Sequence, residues 1–327
     1  TTTKNCIEQN YPFIQSIKSM LVFCDEVCVV DGGSTDGTWE QLEALCSSSD
    51  KLKIKQVVRD WNHKRFAVFD GLQKAEARTM CTMNFCWQMD SDEVVHENDG
   101  VKIHNIINNF PTDCDLLALP VIEYWGSLNK VRCDINSWKW RVSRNKENIT
   151  HGIPKQLRNY DDEGNLYAKL GTDGCDYIDS KTGEPINFMT FSNPKINELQ
   201  QYVHDVPEAL EKYEQWFNNV VQQLPPVFHY SWFNIERKIL TYKNYWSKHW
   251  QSLFNIMQVD TAENNMFFDK SWSDVSEKDV KEMTLKLKNE MGGWIFHRKV
   301  DFREKTKHIS CHKEQPENMI AWTKENA

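Results

Sequence analysis

The sequence has no CxxC pair. Its ten cysteines fall at no zinc-like or paired spacing. They read as buried reduced thiols rather than a metal cluster or a disulfide framework, because Cys is among the most buried residue types. No apolar run approaches the ~20 residues that cross a bilayer, and the first residues lack the basic-then-apolar plan of a secretory leader. A cytoplasmic location is the expectation. Lys and Arg (39) are outnumbered by Asp and Glu (47), giving a net charge of -8. That balance argues against a general nucleic-acid binder, which needs a dense cationic face for phosphates. No Gly-Lys-Ser/Thr follows a Gly-rich turn, so there is no P-loop. Gly33 stands where an EF-hand loop needs an oxygen side chain, and no Glu arrives in register to close one. Internal repeats, low-complexity tracts and long linkers are also lacking.

What is present is an alternation of strands and helices. Phe13, Ile14, Ile17, Met20 and Leu21 share one helical face, and 27–30 (Val-Cys-Val-Val) is a short buried strand. A helix over 38–45, a strand over 52–57, a helix over 66–80 and strands at 85–89 and 116–122 follow. Such alternation predicts a mostly parallel sheet flanked by helices. The segment from about 125 to 190 is loop-rich, a natural home for substrate loops. Beyond 195 helices dominate: Ile235, Ile239, Tyr242, Trp246 and Trp250 form a stripe that reads as core. Ser276 and Asp279 read as a capping box. Thirteen Trp supply core anchors and also faces suited to sugar rings.

Two strands run out into acids. "VVDGGSTDGTWE" (29–40) ends its strand at Asp31, and "CWQMDSDEVV" (86–95) places Asp90, Asp92 and Glu93 directly after an apolar run. In open parallel sheets ligands bind beyond the carboxyl ends of strands, so Asp31 and Asp90 would face one cleft if their strands are near neighbours. Gly32 and Gly33 allow a sharp turn and close approach of a ligand, while Ser34, Thr35 and Asp36 could cap the next helix. Taken alone, the first motif reads equally well as a capped turn and the second as a solvated strand end. Two carboxylates on alternate residues suit a hard divalent cation with open positions for phosphate oxygens. Without a counter-charge they would repel, and a metal would resolve that conflict. Between the two motifs, "KRFAVFDGLQKAEA" (64–77) reads as an amphipathic helix with a basic start. Arg65 would sit at the cleft lip, facing a base or a diphosphate.

In the loop-rich middle, "GTDGCDYID" (171–179) sets Asp173 beside glycine. If the chain carries out acid–base chemistry, Asp173 is the favoured general base, with Asp176, Glu123 and His151 as rivals and a plain turn residue as the structural alternative. "HGIPKQLRNYD" (151–161) could touch an acceptor or a diphosphate, or form a surface hairpin.

In order and placement these motifs resemble the family 2 glycosyltransferases. The likeness runs from TTTKN through VVDGGSTDGT, RFAVFDGLQKA and the MDSDE strand end, then more loosely to VFHYSW (227–232). It implies a GT-A α/β fold with a mostly parallel central sheet and a helical C-terminal extension. Residues 1–125 would form the nucleotide-sugar half, 126–232 the acceptor half and 233–327 the extension. It further implies a metal-dependent inverting transfer, with Mn2+ or Mg2+, from a UDP- or GDP-linked sugar to a hydroxyl of a glycan, lipid or protein in glycan biosynthesis. On that likeness Asp31, Gly33, Arg65, Asp90 and Ser91 would contact nucleotide or sugar. Asp92 would bind the metal as the last Asp of the DxD motif, and His229 would return to the metal or diphosphate. One departure is Gly32, where many relatives carry a second Asp. A sugar nucleotidyltransferase and a non-catalytic carbohydrate-binding protein are the competing readings. Release of nucleoside diphosphate sets the first apart, and metal-dependent nucleotide affinity the second.

Overall fold

The computed structural model describes residues 1–62, 66–112, 114–133, 138–146, 207–247, 270–291 and 308–327, with short strands at 149–150, 153–154, 159–160, 166–167, 188–189 and 266–267. The chain opens with β1 (Thr2–Thr3), α1 (Phe13–Phe23), β2 (Val27–Asp31), α2 (Thr38–Cys46), β3 (Leu52–Gln56) and α3 (Phe66–Thr79). Every residue of β2 is buried, as expected of a strand covered on both faces. Phe13, Ile17, Met20 and Phe23 recur along α1 at helical spacing and pack on Val27, Val29, Leu42 and Leu52. β1, β2 and β3 pair in parallel.

Next come β4 (Phe85–Trp87), β5 (Glu93–Val95), α4 (Gly100–Asn108), β6 (Leu116–Trp125), β7 (Val131–Arg132), β8 (Trp138–Arg144), α5 (Pro207–Gln223), β9 (Val227–Trp232) and α6 (Ile235–Thr241). Parallel pairing joins β1 to β3, but the second sheet is mixed. β6 pairs with β9 in parallel, while β7 and β8 run antiparallel to β6, and β5 runs antiparallel to β9. The reason is local. β6 turns back at Gly126, whose φ of +65° leads into β7, and a direct return of this kind pairs antiparallel, whereas a parallel pair needs a long crossover.

The register of this sheet places the site. On β9, His229 stands opposite Glu93 of β5 on one side and Glu123 of β6 on the other. Paired residues in a sheet share a face, so three polar side chains lie side by side on one rung. All ten residues of β6 are buried.

The later helices dock onto the same sheet. Ile235 and Ile239 of α6 pack with Trp125, Trp232, Val275, Val280, Met283 and Leu287, so the stripe read as core is core at those positions; Trp250 lies outside the described residues. Ser276 and Asp279 form the expected capping box at the start of α7 (Glu277–Lys286). Strand β10 (His308–Ile309) pairs with β7, and α8 (Ile320–Asn326) sets Trp322 against Tyr230 and Phe233. Cys6, Cys28 and Cys86 are buried thiols. Residues 149–150 and 153–154 pair antiparallel, and most of the 151–161 segment lies outside the described residues. No helix among the described residues is long and apolar enough to cross a membrane.

Candidate active site

β2 ends at Asp31, and its fully buried carboxylate turns back on the chain. Oδ1 accepts from the N–H groups of Gly33 (2.9 Å) and Ser34 (2.8 Å) and from Gln56 Nε2 (3.2 Å). Oδ2 accepts from the hydroxyls of Thr3 (2.9 Å) and Ser34 (2.6 Å). Those donors use the roughly four lone-pair sites of a carboxylate. Asp31 therefore shapes the loop, and what the loop presents beyond it is the backbone of Gly32 to Ser34. A Cβ on Gly32 would lie 2.6 Å from the Trp61 ring, and Trp61 Nε1 donates to the Gly32 carbonyl at 2.7 Å. Trp61 thus leaves no room for an Asp at position 32. Gly33 has φ +84°, the left-handed region that glycine tolerates.

Only one of the three expected caps serves α2. Asp36 accepts from Thr38 N at 3.0 Å and from Glu8 N at 2.8 Å. Ser34 and Thr35 are drawn instead to Asn5: Asn5 N donates to Ser34 Oγ, and Thr35 N donates to Asn5 Oδ1. Ser34 is also tied to Asp31 through its amide and its hydroxyl, so the cap reading of Ser34 and Thr35 is corrected.

The second acidic corner is crowded with cations that the sequence reading did not foresee. Asp90 meets Lys74 Nζ at 2.6 Å and Arg141 at 3.4 Å. Burial pushes its carboxyl up, but Lys74 and Arg141 outweigh that and hold it well below the ordinary carboxylate range. Glu93, wholly buried, binds the Arg141 guanidinium closely and Lys139 at 3.2 Å, and accepts from Asp90 N. The counter-charge that the sequence left open at this corner is supplied, for Asp90 and Glu93, by protein cations. Ser91 lies between them with its side chain against the Cys6 thiol.

Asp92 differs from its neighbours. Its buried Oδ1 lies 3.3 Å from His229 Nε2. On the other side of the ring, Nδ1 is bound closely by Glu123 Oε2, with Lys139 Nζ 3.1 Å away. Burial raises both carboxyls, but the imidazole beside them dominates: Glu123 falls to about 2, and Asp92 is held below the carboxylate range. Burial alone would lower His229, yet Glu123 and Asp92 lift it to about 9.

Of the residues named from sequence, the structure brings Asp90, Ser91, Asp92 and His229 to one corner. Glu123, weighed as a base, is there as the partner of His229. Asp31 and Gly33 form the neighbouring turn, and Ser16 of α1 donates to the Asp90 carbonyl at 3.3 Å. Arg65, His151, Asp173 and Asp176 lie outside the described residues. Lys139 and Arg141 were missed, although their signal was legible: two cations at alternate positions of the strand WKWRVSR point to one face. Lys74, four residues after Asp70, binds both Asp70 and Asp90.

Other clusters do not compete with this corner. A cavity of about 540 Å3 between β2 and β4 is lined by Val27, Cys28, Phe85 and Trp87, and by none of Asp31, Asp90, Asp92 or His229. Glu26, Cys28 and Cys81 bring ligand atoms within 4.8 Å of one another. However, the Glu26 carboxylate is already taken by Lys53 and by the amides of Thr82 and Met83.

Comparison with known proteins gives the class of this α/β chain with acids gathered at its strand ends: a glycosyltransferase of GT-A fold. Residues 2–163 match the family model described as Glycosyl transferase family 2, so this part of the chain is a glycosyltransferase domain of that family. Similar solved structures include TarS of S. aureus, residues 1–349, at 13% identity and a TM-score of 0.33, covering 94% of this chain and 97% of that one. A longer TarS structure is 15% identical with a TM-score of 0.34, covering 94% and 59%. TarS 1–349 in complex with UDP-GlcNAc is 10% identical with a TM-score of 0.33, covering 94% and 98%. No curated protein sequence matches the chain.

Two outcomes are expected from this geometry. Asp31→Asn replaces an acceptor with an amide N–H and leaves buried donors unmatched, so stability falls by about 2–4 kcal/mol; an unchanged urea midpoint would contradict the loop-shaping role. In chelator-treated protein, His229 titrates near 9 folded against 6.5 ordinarily. Its charged contribution is then complete below about pH 6.5 and is lost as pH rises through about 9. The gap in Tm between wild type and His229→Gln should narrow over that window, and a gap constant with pH would contradict the pairing.

Proposed function

We propose that the protein transfers a sugar, with inversion, from a UDP- or GDP-linked donor to an acceptor hydroxyl in glycan biosynthesis, with Mn2+ or Mg2+ held by Asp92 and His229. The observation that carries this reading is the 3.3 Å approach of Asp92 Oδ1 to His229 Nε2 at a buried strand end. Adjacent ligands at ~2.1 Å from an octahedral ion stand ~3 Å apart, so the pair fits one ion with little movement. An oxygen with an imidazole nitrogen also suits Mn2+ chemically. Once bound, the ion would act as a Lewis acid toward the donor diphosphate.

The chain's own residues carry the rest of the proposal. Gly33, Asp90 and Ser91 would line the nucleotide and sugar, with Asp31 acting through the turn it holds. Lys74 and Arg141 keep Asp90 ionised, so it can accept hydrogen bonds from ribose or sugar hydroxyls. Arg65 would meet the base or the diphosphate. Glu123 is engaged by His229 and is poorly placed to accept a proton from a substrate, so Asp173 is retained as the proposed base in an in-line displacement. Residues 1–125 would serve the donor, 126–232 the acceptor, and 233–327 would extend the fold.

Calorimetry with UDP and GDP tests the metal reading. Asp92→Ala should weaken Mn2+-dependent nucleotide binding by more than ~10-fold, and full affinity retained in Mn2+ would overturn the ligation. Asp173→Asn should abolish sugar transfer while leaving donor affinity intact; unchanged turnover would remove Asp173 from the chemistry.

A further inference from the structure

The side chain that aims His229 comes from a strand 106 positions away in sequence. Glu123 sits in the middle of β6, 3% exposed, on the same rung as His229. Its Oε2 binds Nδ1 of the ring closely, while Nε2 is left facing Asp92 at 3.3 Å. Glu93 flanks His229 on the opposite side of β9 but does not compete for the ring, because its carboxylate is committed to Arg141 and Lys139. Lys139, at 3.1 Å, brings only donors to Nδ1. Among the described residues, then, Glu123 is the acceptor that fixes which ring nitrogen points inward.

We propose that Glu123 is a positioning residue: by holding Nδ1 it sets the flip and tautomer of His229 so that Nε2 is delivered to the ion beside Asp92. The inference rests on the metal reading above. Its physical basis is general, since a ligating imidazole is oriented by whatever its second nitrogen binds, and loss of that partner costs ~10–100-fold in metal affinity. The competing role is charge balance for Lys139, but Lys139 already lies 3.2 Å from Glu93 and is 3.9 Å from Glu123. The nearer and tighter partner of Glu123 is the ring.

The test is Mn2+ binding, followed by electron paramagnetic resonance of the free ion, in wild type, E123A, E123Q, H229A and the double variant E123A/H229A. E123A should lose ~10–100-fold in affinity. E123Q keeps an amide oxygen that accepts from Nδ1–H, so it should retain most of the affinity and should fold where E123A does not. In the H229A background, E123A should bring no further loss, because a residue acting through the ring has nothing left to act on. Wild-type affinity in E123A, or an equal loss with and without His229, overturns the proposal. Should H229A bind Mn2+ as tightly as wild type, the metal reading fails, and the imidazole 15N spectrum of metal-free protein decides on Glu123 separately. An Nδ1 resonance changed in E123A and kept close to wild type in E123Q supports the positioning role, and one unchanged in E123A overturns it.

Discussion

The structure turns on one rung of a mixed sheet, where Glu93, His229 and Glu123 stand abreast on β5, β9 and β6. Placing two carboxylates and an imidazole in a buried layer is costly unless each finds a charged partner, and removing one partner strands the others. Here the partners are Arg141 and Lys139 from β8 and Asp92 from the turn before β5. A slip of one residue in either pairing would turn His229 to the opposite face and leave Glu123 buried against nothing. The registers of β9 are therefore the constraint on which the site depends, and Trp125 and Trp232 in the adjoining core help hold them.

Charge is divided within the corner in a way that separates two tasks. Asp90 and Glu93 are balanced by Lys74, Lys139 and Arg141 and form a fixed wall of ion pairs. The first partner of Asp92 is an imidazole, with Lys238 and Arg237 acting on it more weakly, and an imidazole can give up its proton and become a ligand. That difference is why the proposed ion is placed at Asp92 rather than at its neighbours. The turn at Asp31 has a third character: its carboxylate is spent on backbone amides and hydroxyls, which makes a rigid loop rather than a charged contact.

The local parts of this arrangement were legible in the sequence. Apolar runs ending in acids located β2 and the Asp90 corner, helical periodicity located α1 and α3, and Ser276 with Asp279 marked the start of α7. What was hidden is pairing across the chain. Nothing in VFHYSW says that its His lies between a Glu at 93 and a Glu at 123, because strand register is fixed by packing rather than by nearby residues. The antiparallel strands of the second sheet were hidden for the same reason. Lys139 and Arg141 were readable as two cations on one strand face, but their acidic partners were not. Gly32 became intelligible only once Trp61, 29 residues on, was seen packed against it.

The most direct measurement is pulsed electron paramagnetic resonance of Mn2+ bound to the protein with UDP. The account predicts coupling from one directly ligating imidazole nitrogen, lost when His229 is replaced by Gln. Mn2+ bound alongside UDP with no nitrogen coupling in the wild-type protein would contradict it.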